Sequence, residues 1–294
     1  MKASSQSHVL LFFTTEPDAV IGRILRFRAA FMQSGQNFDF ALVSFKPNAQ
    51  TSVQQRMVGG VAIPHYIYGP DVIDTLRYPS KGSKKPFKLI PGNCDLIPIL
   101  FWKSHPEYQH VWVMEDDVEY TGDPAQLFAD LAEKDEDLLA THVTQCVENW
   151  IYAKNFRCPG VELAADAKWL TFFPFYRVSC KALTAIDCCY LEGWDGHHEM
   201  AWPTILKRAQ CSILDIGGQG AHVSEENINR HYIGIPGSAF DKHGSFGTMQ
   251  IRLRPGKQKN VLWHPVKTPK AWLRQKAKRT LSIIKWKYLQ LIRR

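Results

Sequence analysis

Apolar positions along this chain fall into short runs with two periods. Runs of six to eleven residues that are apolar throughout or nearly so read as buried strands: 8–15 (HVLLFFTT), 38–45 (FDFALVSF), 110–117 (HVWVMEDD), 137–143, 169–179 and 211–218. Between them, apolar residues recur every three or four positions, predicting helices over 19–35, 95–108, 123–135 and 196–209. Gly35 marks the end of the first, Asp123 and Pro124 supply a cap and first position for the third, and Ser179 opens a further helix after its strand. Strands that alternate with helices predict an α/β protein with a mainly parallel sheet covered on both faces. Ligands of such sheets gather beyond the carboxyl ends of the strands. The stretch 217–265, rich in Gly, His and Asn, reads as loops over the site, and neither an internal repeat nor an interdomain linker is visible.

Composition narrows this picture. With 294 residues, 45% hydrophobic and 22% charged, the chain can bury a full core as one large domain. The apolar stretch near the start is too short for a secretory signal or a membrane span, so a cytoplasmic location is expected. Seven cysteines without CxxC spacing are expected to be thiols rather than disulfides or zinc ligands.

A net charge of +8 suggests nucleic acid until it is located. Ten of the 36 Lys and Arg lie in 267–294, which has no acid, leaving 26 bases against 28 acids in 1–266. The body carries no basic stripe with interleaved aromatics, so no nucleic-acid partner is expected. In the tail, Leu273, Ala277, Leu281, Ile284, Tyr288 and Leu291 share a helical face. That face suits an anionic membrane surface, which would make the protein peripheral on the cytoplasmic side, or packing on the chain's own domain.

The chemistry concentrates in VWVMEDDV, 111–118, where an apolar strand runs into Glu115, Asp116 and Asp117. Alternation puts Glu115 and Asp117 on one face and Asp116 on the other. Converging carboxylates at a strand end suit a hard divalent cation, Mg²⁺ or Mn²⁺, whose shell is completed by water and phosphates. An acidic turn capping the next helix is the plain alternative. Phosphate-loop and dinucleotide fingerprints are absent from the sequence.

On these residues the chain resembles the GT-A superfamily of nucleotide-sugar glycosyltransferases, with EDD in the place of that family's Asp-x-Asp-type motif. The resemblance covers most of 8–266. It implies one large GT-A-like domain over 1–266, with a Rossmann-like nucleotide-sugar half (about 1–143), a mixed central sheet, an acceptor half (144–266), and a basic amphipathic tail (267–294). It makes Asp117 the direct metal ligand, Glu115 a contact to metal-bound water or ribose, and Asp116 a neighbour of nucleotide or sugar. A C-terminal-loop histidine often completes such a centre, and His264 is preferred here over His222, His231 and His243. Lys267 would bind the diphosphate or else begin the solvated tail. For an inverting reaction the base would be Glu199, with Asp195 as competitor, and Trp194 and Trp202 are candidates to stack on sugar faces or to fill the core. Donor contacts fall on Thr14, Thr15, Arg23, Lys88 and Asn93. The implied reaction moves a sugar from a nucleoside-diphosphate donor to a glycan or glycolipid acceptor, as in surface polysaccharide synthesis.

Two other classes fit the same residues. A metal-dependent hydrolase or nucleotidyltransferase would add the HHE run, 197–199, to the acids, although that run lacks the i, i+4 histidine pair of the helical zinc motif. A non-catalytic carbohydrate- or membrane-binding protein would need neither base nor metal.

Overall fold

The computed structural model describes residues 7–277 except 36, 84–86, 91, 147–149, 221–222, 235–243 and 249. Its centre is an eight-stranded sheet. In chain order the strands are β1 (His8–Phe13), β2 (Phe38–Phe45), β3 (Ser52–Val58), β4 (Val61–Tyr68), β5 (His110–Glu115), β7 (Leu138–Gln145), β8 (Trp169–Ser179) and β9 (Ile213–Asp215). A separate two-stranded ribbon pairs β6 (Glu119–Tyr120) with β10 (Leu262–Trp263).

The sheet order is β3-β4-β2-β1-β5-β8-β7-β9. Pairs β1/β2, β1/β5, β2/β4 and β7/β9 are parallel, and β3/β4, β5/β8 and β7/β8 antiparallel. Six of the eight strands run the same way and β3 and β8 run against them, so the sheet is mainly parallel, as the periodicity implied, and mixed, as the resemblance implied. An apolar run buried on both faces has no marker of direction, so β8 cannot be told from a parallel strand by pattern. The β3–β4 hairpin is absent from the sequence reading altogether. Its signal was present: Gly59 and Gly60, both at positive φ, form the two-residue turn such a hairpin needs. The boundary expected near residue 143 falls inside β7, and one sheet runs through both halves.

Helices cover both faces. Alternation in β1 and β5 sends Leu10, Phe12, Trp112 and Met114 to one side, where they pack with Ile24, Phe27 and Phe31 of α1 (Ile21–Gln33) and Phe128 of α3 (Pro124–Ala132). Val9, Leu11, Val111 and Val113 face the other way, onto α2 (Leu96–Ser104), α4 (Cys180–Leu191) and α5 (His198–Arg208). Two caps form as read: Asp123 accepts from Ala125 N at 2.9 Å and Ser179 from Ala182 N at 3.1 Å, each worth about 1 kcal/mol. The seven cysteines are free thiols, of which Cys211 is buried and Cys188 exposed. Among the described residues no helix is long and apolar enough to cross a membrane.

Candidate metal centre and its flanking clefts

Strand β1 lies between β2 and β5, so the chain leaves it to one side first and returns on the other. This reversal opens a crevice at the carboxyl ends of β1 and β5, the place where open α/β sheets bind ligands. The three acids stand at this point. The strand ends at Glu115, and Asp116 and Asp117 form the turn after it, which Val118 N closes onto Glu115 O at 3.1 Å.

The C-terminal stretch is brought to the acids by backbone pairing. Leu262 and Trp263 pair with Tyr120 and Glu119, and Val266 N donates to Asp117 O at 2.7 Å. His264 Nε2 then lies 3.3 Å from Asp117 Oδ1 and 3.6 Å from Glu115 Oε2. Its other nitrogen, Nδ1, donates to Gly247 O at 2.7 Å, which fixes the ring and directs Nε2 at the acids. One ligand atom from each of Glu115, Asp117 and His264 lies within 4.8 Å of the others.

These groups are strongly coupled. Burial opposes protonation of His264, but Asp117 and then Glu115 outweigh it and push the pKa up to about 10. Burial would likewise raise the Asp117 carboxyl, yet His264 and Lys267 hold it well below the usual range. Lys267 Nζ pairs with Asp117 Oδ2, and Asp117 in turn helps keep the ammonium charged against burial. Both Asp117 oxygens are buried and meet cations without accepting a hydrogen bond of regular geometry. A buried carboxylate met only by the protein's own cations, beside a second carboxylate and an oriented imidazole, fits a divalent cation that takes their place. Octahedral ligand atoms about 2.1 Å from an ion stand at most roughly 4.2 Å apart, so a small contraction of the cluster suffices.

The remaining sequence candidates divide. Thr14 is buried and donates its hydroxyl to Asp116 Oδ2 at 2.7 Å, which supports the acidic turn and leaves that proton committed. Thr15 is exposed and borders two clefts beside the acids and a third that Glu16, Lys46 and Arg56 line. Arg23 is a staple: Nε pairs with Glu119 Oε1 at 2.6 Å, Nη1 donates to Asp116 O, and Nη2 to Val266 O at 3.2 Å. Most of its donors are thus held within the protein, although its edge lines one cleft. Lys88 is exposed and Asn93 half-buried in the turn before α2, and neither lines the two clefts beside the acids, whereas Leu89 and Cys94 line one of them.

Glu199 sits in the first turn of α5, where burial and then Glu115 push its pKa up to about 8. Asp195 is held by its backbone, bridging to Arg157, and its carboxylate accepts from Gly196 N at 2.8 Å. Trp194 and Trp202 are 1% and 0% exposed, so both are core and unavailable to stack on a sugar; Trp202 Nε1 donates to Asp95 at 3.1 Å. His197 and His198 are not members of the metal-binding group, and His231 is buried elsewhere, with its pKa pushed down to about 4 by burial and Arg230. His222 and His243 lie outside the described residues.

Sequence reasoning missed a buried network beneath α5. Lys81 and Asp95, both fully buried, pair at 3.3 Å. Lys81 also donates to Gly92 O and, at 2.8 Å, to Gly196 O, while Tyr190 donates to Asp95 at 2.5 Å. His198 N reaches Gly92 O at 3.3 Å, and a side chain at Gly92 would collide with His197 at 2.9 Å. The network ties the wall of the crevice to the helix start that carries Glu199. A lysine in a loop gives no sequence signal of burial.

Of the tail, 269–277 is helical, and Lys270, Ala271 and Arg274 border a cleft with Asp116 and Asp117. Some of its bases thus face the site. The rest of the proposed membrane face, from residue 278 on, lies outside the described residues.

Fold and site together define a mixed α/β protein with a candidate divalent-cation centre at the switch point of its sheet. No family model and no curated protein matches the sequence. Similar solved structures include a glycosyltransferase involved in glycosylation of the PBCV-1 major capsid, 11% identical with a TM-score of 0.29, over 62% of this chain and 63% of that one. The galactosyltransferase LgtC, solved with donor and acceptor sugar analogs, is 12% identical with a TM-score of 0.38, over 70% and 72% of the two chains. Mouse xyloside xylosyltransferase 1, in its apo form, is 11% identical with a TM-score of 0.35, over 74% and 88% of the two chains. With likenesses this distant, the chemistry rests on the site's own geometry.

Proposed function

We propose that the protein is a glycosyltransferase that moves a sugar from a nucleoside-diphosphate donor to a hydroxyl of a glycan or glycolipid, with Mn²⁺ or Mg²⁺ held by Glu115, Asp117 and His264. The observation that carries this reading is the convergence of those three ligand atoms within 4.8 Å at the sheet's switch point, with Lys267 against Asp117. When bound, the cation would act as a Lewis acid toward the diphosphate leaving group. Lys267 would turn from Asp117 to that diphosphate. Thr15, where the clefts meet, suits contact with the ribose or base. Glu199, with a pKa near 8, is the group matched to taking a proton from the acceptor hydroxyl. Arg23 acts indirectly, by holding the acidic turn against Val266. The basic tail would bring the protein to an anionic cytoplasmic membrane face.

A second reading draws on one observation. Protonated His264 and Lys267 already meet both oxygens of Asp117, so the protein's own cations would offset the leaving group and no metal would be needed. Thermal stability measured against a panel of nucleotide sugars, nucleoside diphosphates and triphosphates, each with and without Mn²⁺, separates the readings. Metal-dependent stabilisation by one nucleotide sugar supports the transferase with its cation, and the same shift without Mn²⁺ supports the second reading. A response confined to triphosphates, or to metal alone, would favour a nucleotidyltransferase or hydrolase.

A further inference from the structure

Of the two edges of the central sheet, one is protected and the other is not. At one edge β9 is three residues long, too short to template another strand. At the other, β3 runs for seven residues without proline or lysine, and its pairing with β4 is unbroken by a bulge. Its one charge is already committed, since Arg56 Nη2 meets Asp18 Oδ1 at 2.8 Å and Oδ2 at 2.7 Å. Ser52, Val53, Gln54, Gln55 and Met57 are exposed, so among the described residues nothing covers this edge. The usual devices against strand pairing are missing from it.

The side chains and the backbone of β3 are in phase. Val58 packs in the core with α1, so Gln54 and Arg56 share its face, and Val53, Gln55 and Met57 take the other. There they continue a strip begun by their β4 neighbours Tyr66, Pro64 and Ala62, of which Tyr66 rests on Phe101 of α2 at 5.0 Å. Val53 and Met57, 59% and 62% exposed, form the outer side of that strip. The pair flanking a two-residue hairpin turn, here Val58 and Val61, exchanges both bonds. Alternate residues back to Ser52 therefore bond to β4, and Val53, Gln55 and Met57 turn their N–H and C=O groups outward.

We propose that β3 is the two-fold interface of a homodimer, pairing antiparallel with β3 of a second copy about Gln55. The occupant follows from self-complementarity, which a two-fold interface requires. This register sets Val53 of one copy opposite Met57 of the other, at two symmetric places on the exposed face, with Gln55 opposite its own equivalent. On the other face Arg56 falls opposite Gln54, so like charges do not meet. A register centred on residue 56 would oppose two arginines, and one centred on 54 would oppose Met57 to Thr51 and Val53 to Gln55. Only the pairing about Gln55 joins apolar to apolar while engaging every outward-facing residue of both strands. An interface of one strand and its flanking strip is small, so association falls in the micromolar range.

Sedimentation velocity of the full chain over a concentration series tests this, with circular dichroism as the check on folding. The native chain should pass from monomer to dimer with a micromolar Kd. Gln55→Pro removes a donor that faces outward and so costs the hairpin no bond to β4; it should weaken the dimer by about tenfold or more. Should proline disturb the hairpin, the exposed positions still decide. Val53→Lys and Met57→Glu alone should each weaken the dimer, and Val53→Lys/Met57→Glu in one chain should recover it in a salt-sensitive way, since only this register sets the two opposite. Leu281→Glu/Ile284→Glu on the apolar face of the tail should change nothing. A chain that stays monomeric up to millimolar concentration, a dimer indifferent to Gln55→Pro and to both single changes, a double variant no tighter than its singles, or a dimer lost with the tail substitutions would each overturn the proposal.

Discussion

Replacing Asp117 by Asn tests the metal centre with a magnitude that the structure supplies. The substitution keeps size and shape but removes the charge that His264 and Lys267 share. In the native chain the His264 pKa stands near 10 against an ordinary 6.5, a difference equivalent to about 5 kcal/mol at 1.36 kcal/mol per unit. Because the folded value is raised, that stability is fully present below pH 6.5 and is lost as pH rises toward 10. In Asp117→Asn the histidine returns toward neutrality, so most of this contribution is absent at every pH.

The melting temperature of the metal-free variant should therefore lie below the native one by up to about 10 °C near pH 6.5, with the gap narrowing toward pH 10 to the part that the lost Lys267 pair leaves. Metal binding must expel the His264 proton, so the apparent Mn²⁺ affinity of the native chain should rise by up to tenfold per pH unit between 6.5 and 10. The variant should show neither the rise nor stabilisation by metal. Differential scanning fluorimetry across pH, with and without Mn²⁺, reads both effects. A melting gap independent of pH, together with Mn²⁺ stabilisation equal to the native chain's, would refute the reasoning.

Three further outcomes are expected. Glu199→Gln should leave nucleotide binding intact and cut turnover by about 10²-fold or more, and the native rate should climb as pH approaches 8, where the carboxylate forms; full turnover in the variant moves the base elsewhere. Lys81→Met strands buried Asp95 and should cost about 3–5 kcal/mol in denaturant unfolding, with Lys81→Met/Asp95→Leu recovering much of it; a single variant within 1 kcal/mol of native would mean that the pair is not coupled as drawn. The full chain should sediment with anionic liposomes at low salt and detach as salt rises, whereas a chain ending near Lys267 should stay in the supernatant; equal sedimentation of both would place membrane affinity outside the tail or nowhere.

The local code of this sequence determined much of the frame. Apolar runs near 8, 38, 110, 138 and 169 became strands because burial on both faces requires continuous carbon, and Asp123 and Ser179 became caps because their side chains replace missing backbone acceptors. The sequence also located EDD at a strand end, and the resemblance carried by those acids led to His264, between apolar neighbours just before the basic tail. Whether those residues meet was another matter. About 150 positions separate Asp117 from His264, and only the pairing of β6 with β10 and the bond from Val266 to Asp117 bring them together. Strand direction was equally hidden, since β8 runs antiparallel to β5 with the same apolar pattern a parallel strand would have. Arg23, read as a phosphate contact, commits three donors to Glu119, Asp116 and Val266 while its edge lines a cleft; Trp194 and Trp202, candidates to stack on a sugar, are core; and Lys81, which no local pattern singles out, is buried. In each case the side chain's role follows from which distant groups the fold sets beside it, because charge pairing, desolvation and burial are properties of neighbours in space rather than of neighbours in the chain.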